Sequence, residues 1–344
     1  MARGSKRQQQ ARRANEAAGS AAAAGDFEAF YQRRLVPQIG KLEVERKQVV
    51  RRIAAWLALI VPAGSLLTGI LVHVEAYGIF VSLAIAGTLG GALAALGLLR
   101  IDYDANFKAR VIQPLIAFYD PGLTYRSGDG IPLQVFVESR LFPGAPPERF
   151  SGEDLITGTL GKTRMSFSEV TAQRVRQVQS GKGETRESVS TIFSGVFFCA
   201  DFNKNFSGAT FVLPDRAQKL LGAVGQLLQS WEKNFGQIVK LEDPEFEQAF
   251  VVYSDSQIEA RYILTPALMR RILEFHRRTG RPFRISFAGT RVNVAIDMGR
   301  NLFEARLFRT LLEPSLYATF WHDLTLLAGI VEELNLNTRI WTRA

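Results

Sequence analysis

Cysteine is almost absent from this chain, and histidine nearly so. Cys199 is the only cysteine among 344 residues, so no intramolecular disulfide can form and a cysteine-based zinc site is excluded. That agrees with a reducing, cytosolic compartment for the folded part. The surrounding FSGVFFCADF is strongly apolar, which predicts a small buried side chain in place of a reactive thiol. The three histidines, His73, His276 and His322, fall at no metal-ligand spacing, and neither GxSxG nor HExxH occurs. LGKT at Leu160 to Thr163 has Ile156 where a phosphate loop needs its first glycine, so it reads as a turn between strands. No catalytic residue and no cofactor site emerge from these patterns.

Charge is the other absence. From Ile53 to Leu99 only Glu75 is formally charged, and it separates two apolar runs, Ile53 to Val74 and Tyr77 to Leu99. Each run has the twenty or so residues that a helix needs to cross about 30 Å of hydrocarbon, and lipid demands helices because backbone polar groups find no water there. Neither run shows the polar stripe of a soluble amphipathic helix. The expectation is an antiparallel transmembrane hairpin, 53–74 and 77–99. Gly87, Gly91 and Ala95 recur every four residues and predict a close approach to the other arm, or self-association through the same face.

What is abundant is arginine and lysine before the first run. The first 52 residues hold twelve basic and five acidic side chains, a local net of +7 out of +9 for the chain. The remaining 292 residues are nearly neutral, unlike a nucleic-acid-binding domain with its basic face. The turn between the runs has no Lys or Arg, whereas Arg100, Lys108 and Arg110 follow the second. Positive charge stays on the cytoplasmic side, so both termini are expected in the cytoplasm of a multi-pass inner-membrane protein. A cleaved leader fits poorly, because the small-residue run Ala21 to Ala24 precedes the apolar stretch.

Residues 1–25 lack an apolar period and are expected to be disordered. Residues 26–52 form a juxtamembrane helical segment, interrupted at Pro37, that lies either on the lipid surface or on the downstream protein. Residues 101–344 form the cytoplasmic domain, long enough for two subdomains. There the patterns predict a helix over Asp104 to Tyr119 and strands at Leu133 to Ser139, Leu155 to Thr159, Thr163 to Glu169, Ser190 to Ala200 and Ala209 to Leu213. A polar loop spans Gln179 to Ser188, and a core helix runs from Arg216 to Phe235. Further strands are expected at Phe250 to Tyr253, Glu259 to Leu264, Phe283 to Phe287 and Arg291 to Ile296, with helices from Thr265 and Pro266 to Arg278 and from Pro314 to Leu334. The fold class is α+β, with mostly antiparallel strands and packed amphipathic helices behind the hairpin.

FSGVFFCADFNKNFSGATFVLPD and VKLEDPEFEQAFVVYSDSQIEARYILTPALMRRI, with SGEDLITGTLGKTRMSFSE and the closing ELNLNTRIW, resemble the bacterial membrane-protein family of domain of unknown function 3137. The resemblance implies a membrane-anchored bacterial protein and brings no catalytic residues with it.

Candidate chemistry is sparse. Glu242, Asp243 and Glu245 in LEDPEFEQ could together ligate a divalent cation through oxygen; the competing account is a turn around Pro244 with a salt bridge to Arg261. His322 and Asp323 are adjacent, but neighbours one apart on a helix diverge, which favours a structural role over an acid–base pair. The Asp201 to Gly208 turn has hairpin composition and the exposure of a recognition loop. Together these features point to a membrane-tethered binding or scaffold protein, with a protein partner or small ligand at the cytoplasmic face and the bilayer as its other partner. A membrane-bound hydrolase or transferase with a carboxylate site, and a membrane-remodelling hairpin, are the alternatives.

Overall fold

The computed structural model describes residues 26–75, 77–179, 185–202, 206–215, 233–334 and 336. The expected disordered tail (1–25), most of the expected helix from Arg216 and the centres of the two polar loops lie outside the described residues. The chain divides into two units, one made of the residues up to Phe118 with Glu304–Tyr317, the other of Tyr119–Phe303 and the residues from Ala318 onward.

The first unit is built on two long helices, α1 (Asp26–His73) and α2 (Gly78–Tyr119), both long and apolar enough to cross a membrane. They run antiparallel along a narrow seam. A Cβ added at Gly64 would lie 1.9 Å from the Thr88 hydroxyl, and Gly91 faces Ile60. Only this stripe is shielded: Leu59, Leu66, Leu83, Leu89, Leu93 and Leu98 are all more than half exposed, as lipid-facing side chains would be. Of the small residues expected in the seam, Gly91 takes part, whereas Gly87 has open space beside it. Thr88, the residue after Gly87, stands in the seam against Gly64.

Both helices continue straight past a proline. Pro37 was expected to interrupt α1, but it follows a π-helical segment, Tyr31–Leu35, in which the Val36 N–H reaches the Tyr31 carbonyl. Pro114 follows a second such segment, Lys108–Ile112, with the Gln113 N–H on the Lys108 carbonyl. Proline has no N–H to give and its ring crowds the carbonyl four residues back; the wide turn absorbs both defects. The juxtamembrane part of α1 is packed on protein. Phe30 stacks on Phe118 with centroids 4.1 Å apart, and Tyr31 meets Tyr317 at 5.5 Å.

Glu43 organises this region. Its buried carboxylate accepts two hydrogen bonds from Arg46, at 2.8 and 2.7 Å, and one from the Leu311 N–H at 3.0 Å. Arg46 also donates to the Leu307 carbonyl at 2.9 Å. The helix is thereby tied to the late segment Glu304–Tyr317, which Arg100 also holds through Glu304 at 2.7 Å. Burial pushes the nearby Tyr103 hydroxyl upward, and it raises Asp104 against the opposing pull of Arg100.

The second unit is a nine-stranded sheet in the order β1-β2-β3-β4-β9-β8-β5-β7-β6, antiparallel at every pairing. In chain order the strands are β1 Leu123–Arg126, β2 Arg149–Leu160, β3 Thr163–Gln179, β4 Thr185–Asp201, β5 Ala209–Pro214, β6 Gln237–Ile238, β7 Phe250–Ser254, β8 Phe283–Ala288 and β9 Arg291–Ile296. Alternation along β4 sends Phe197 and Cys199 into one core, where Phe136, Phe211 and Tyr253 meet them. Val196 and Phe198 go to the opposite face and are fully buried there. That face also carries Phe283, which α6 (Pro266–Thr279) covers through Phe275 at 5.1 Å.

Two expected strands are helices. Leu133–Glu138 forms α3, launched from Pro132; a six-residue apolar run cannot be assigned by period alone. Gln257–Ile263 forms α5, where Ser256 accepts from the Glu259 N–H. Further helices among the described residues include α4 (Pro244–Ala249), α7 (Pro314–Ala328) and α8 (Ile330–Glu333). At the ends of the expected Gln179 to Ser188 loop the chain is strand, Gln179 pairing with Thr185 and Gln177 with Glu187.

Two predictions follow from this packing. Arg46 holds the Glu43 carboxyl below its ordinary value of 4.5, with the Leu311 N–H helping and burial opposing. Its contribution is therefore complete above about pH 4.5 and is lost as pH falls through the lowered folded value. Glu43→Gln should cost about 3 kcal/mol at pH 7. In thermal melts in detergent the gap between the two proteins should be full above about pH 4.5 and shrink as the pH is lowered below it; a gap independent of pH would refute the assignment. Burial also pushes the Cys199 thiol up to about 11, so a thiol reagent at pH 8 should label it only after denaturation.

Candidate functional site

The strand β9 ends at Ile296, and the chain then crosses over β4. Gly195 makes that crossing feasible, because a Cβ there would sit 2.2 Å from the Ile296 carbonyl. Beyond the crossing the segment 297–303 is fixed at several points. The Leu302 N–H donates to the Glu169 carboxylate on β3, Arg281 donates to the Met298 carbonyl, and Gly299 turns with φ of 61°. This arrangement delivers Arg300 to a cavity of about 420 Å³.

Three elements build the walls. The end of α6 and the residues after it supply Arg278, Thr279 and Arg281; the segment after β9 supplies Met298 and Arg300; one face of α7 supplies Thr319, His322, Asp323 and Leu326. Asp323 has a side chain only 5% exposed and is paired with Arg300 at 2.5 Å. Three guanidinium groups thus line the cavity with one carboxylate, which Arg300 already engages. Guanidinium forks match the planar geometry of carboxylate and phosphate oxygens, so the wall chemistry suits an anion.

His322 and Asp323 both line this cavity, but Asp323 pairs with Arg300 across the fold and forms no acid–base pair with His322. Sequence reasoning missed the arginines. They are spread over 23 residues and two of the three wall elements, and the one local signal was their position beside helix-ending Gly280 and turn-forming Gly299.

The acids of LEDPEFEQ serve local structure. Asp243 caps α4, accepting from the Glu245 and Phe246 N–H groups at 3.1 Å each. Pro244 thus starts a helix where an extended turn was expected. Glu245 pairs with Arg277 on α6, and Glu247 accepts from the Leu241 N–H at 2.9 Å. The expected bridge to Arg261 does not form. Because α5 is a helix, Arg261 turns to the Gln257 side chain and the Lys240 carbonyl. Among the described residues no group of three or more His, Cys, Asp or Glu is placed to hold a metal ion. The Asp201–Gly208 turn is held from below by Glu259, which accepts from the Ser207 and Gly208 N–H groups at 3.3 and 3.2 Å.

A search of curated proteins gave no match. Among solved structures, the crystal structure of the mycobacterial trehalose monomycolate transport factor A is similar over 64% of this chain and 93% of that one, at 10% identity and a TM-score of 0.31. At that score the likeness carries no argument. The family model described as a protein of unknown function, DUF3137, matches residues 191–336, from β4 through α8, with the arginine cavity inside the matched stretch. Over those residues the chain is similar to the domain of unknown function 3137 family, the resemblance that its sequence motifs carry.

Proposed function

We propose that this chain is a bacterial inner-membrane binding protein, multi-pass, with both termini in the cytoplasm and a sheet unit that captures an anionic small ligand beside the bilayer. The observation that carries the reading is the cavity itself, where Arg278, Arg281 and Arg300 surround a space whose single carboxylate is neutralised internally. A charge excess of this kind in a concave site concentrates anions. The membrane half rests on α1 and α2, whose apolar stretches leave their outer faces exposed. The orientation rests on the basic residues flanking the hairpin and on their absence from its turn. Tethering then serves binding, since the hairpin keeps the sheet unit attached to the membrane that presents its ligand.

Thermal melts of the detergent-solubilised chain in inorganic phosphate, pyrophosphate or citrate test this reading against chloride of equal ionic strength. A ligand at a hundred times its dissociation constant adds about 2.7 kcal/mol, enough to raise the melting temperature by a few degrees. Replacing Arg278 and Arg281 together with Ala should abolish the increment. If no anion exceeds the chloride control, or the double variant responds equally, the cavity is not an anion site. Arg300→Ala has a different signature. It leaves the buried Asp323 carboxylate without this partner and should cost roughly 1–3 kcal/mol in the absence of any ligand.

A further inference from the structure

We infer that the loop after Glu304 is a second membrane contact, with Phe308 and Leu312 seated in the headgroup layer of the same anionic leaflet that the hairpin enters. This rests on the membrane-spanning reading of α1 and α2.

Alternate sides of the loop have opposite fates. Leu307 and Leu311 are buried at 5% and 0%, whereas Phe308 and Leu312 are 70% and 57% exposed. The buried side is pinned to the helices at three points: Glu304 to Arg100, the Leu307 carbonyl to Arg46, and the Leu311 N–H to Glu43. Tyr317 adds a fourth bond, its hydroxyl donating to the Leu311 carbonyl at 2.7 Å. A loop so held presents its exposed side chains in a fixed direction.

The pins also set its depth. Arg100 immediately follows Leu99, the last residue of the second apolar run, and Arg46 lies seven residues before Ile53, where the first begins. At 1.5 Å per residue the loop sits within roughly 10 Å of the hydrocarbon edge. The headgroup layer is about 5–8 Å deep on each side, within reach of a phenylalanine and a leucine. Charge agrees with this placement. Arg309 is exposed between the two apolar side chains, and Lys47, Arg51 and Arg52 are exposed on α1 nearby in sequence, the pattern that anionic lipid attracts.

Site-directed spin labelling tests the inference on the full chain in vesicles of phosphatidylethanolamine and phosphatidylglycerol. Cys199 is buried and needs no removal. A nitroxide at Phe308→Cys should be more accessible to oxygen and less accessible to a water-soluble nickel chelate than free label, though less markedly than one at Leu66→Cys in mid-span. A label at Arg309→Cys should show the same preference and lose it when Phe308 and Leu312 are both changed to Ser. Water-like accessibility at 308 beside a lipid-like Leu66 would overturn the loop contact alone. Water-like accessibility at both positions would overturn the spanning hairpin as well.

Discussion

The buried carboxylate of Glu43 is the interaction on which the helical unit depends. An ionised group removed from water must be compensated or it is strongly destabilising, and Glu43 is compensated from two directions, by Arg46 one turn along its own helix and by the Leu311 N–H from a segment 268 residues later. Arg46 is itself oriented by the Leu307 carbonyl, so α1 finds its partners only once the late segment has arrived. The helical unit therefore cannot complete its core from the N-terminal residues alone, although nearly all of its length lies there.

The same logic of long-range closure governs the sheet unit. The central strands are brought together by pairings between distant parts of the chain, β4 with β9 and β5 with β8. Their side chains are buried on both faces, so the sequence around them reads as continuous apolar runs. The outer halves of β3 and β4 differ. They pair with each other through Gln179 and Thr185 while exposing both faces, and they hold together through backbone bonds and cross-strand pairs.

That contrast explains how much could be read in advance. α6 was legible because burial on one side imposes a period and because Pro266 and Gly280 mark its two ends, whereas the hairpin, β5, β7, β8 and β9 were legible as apolar runs. The outer halves of β3 and β4 were not, since without burial there is no period to detect. α5 was misread although Ser256 and Glu259 hold the positions of a capping box; its apolar alternation looked like a strand. The arginine cavity was illegible for another reason. Arg278, Arg281 and Arg300 converge only because the chain crosses β4 at Gly195 and is strapped by Glu169, and no local pattern encodes a crossing.

The two π-helical segments carry a consequence beyond accommodating prolines. In α1 the buried line is Phe27, Tyr31, Leu35 and Ile39, and in α2 it is Tyr103, Phe107, Val111 and Leu115, each spaced by four. On a regular α-helix such a line would wind about 120° around the axis over its length and leave the protein-facing side. A wider turn placed in its middle takes up part of that drift, so both helices keep an aromatic and aliphatic edge against the protein, while their apolar stretches follow ordinary 3.6-residue spacing. The paired wide turns thus act as phase adjusters that join two helical repeats of different period in one continuous rod.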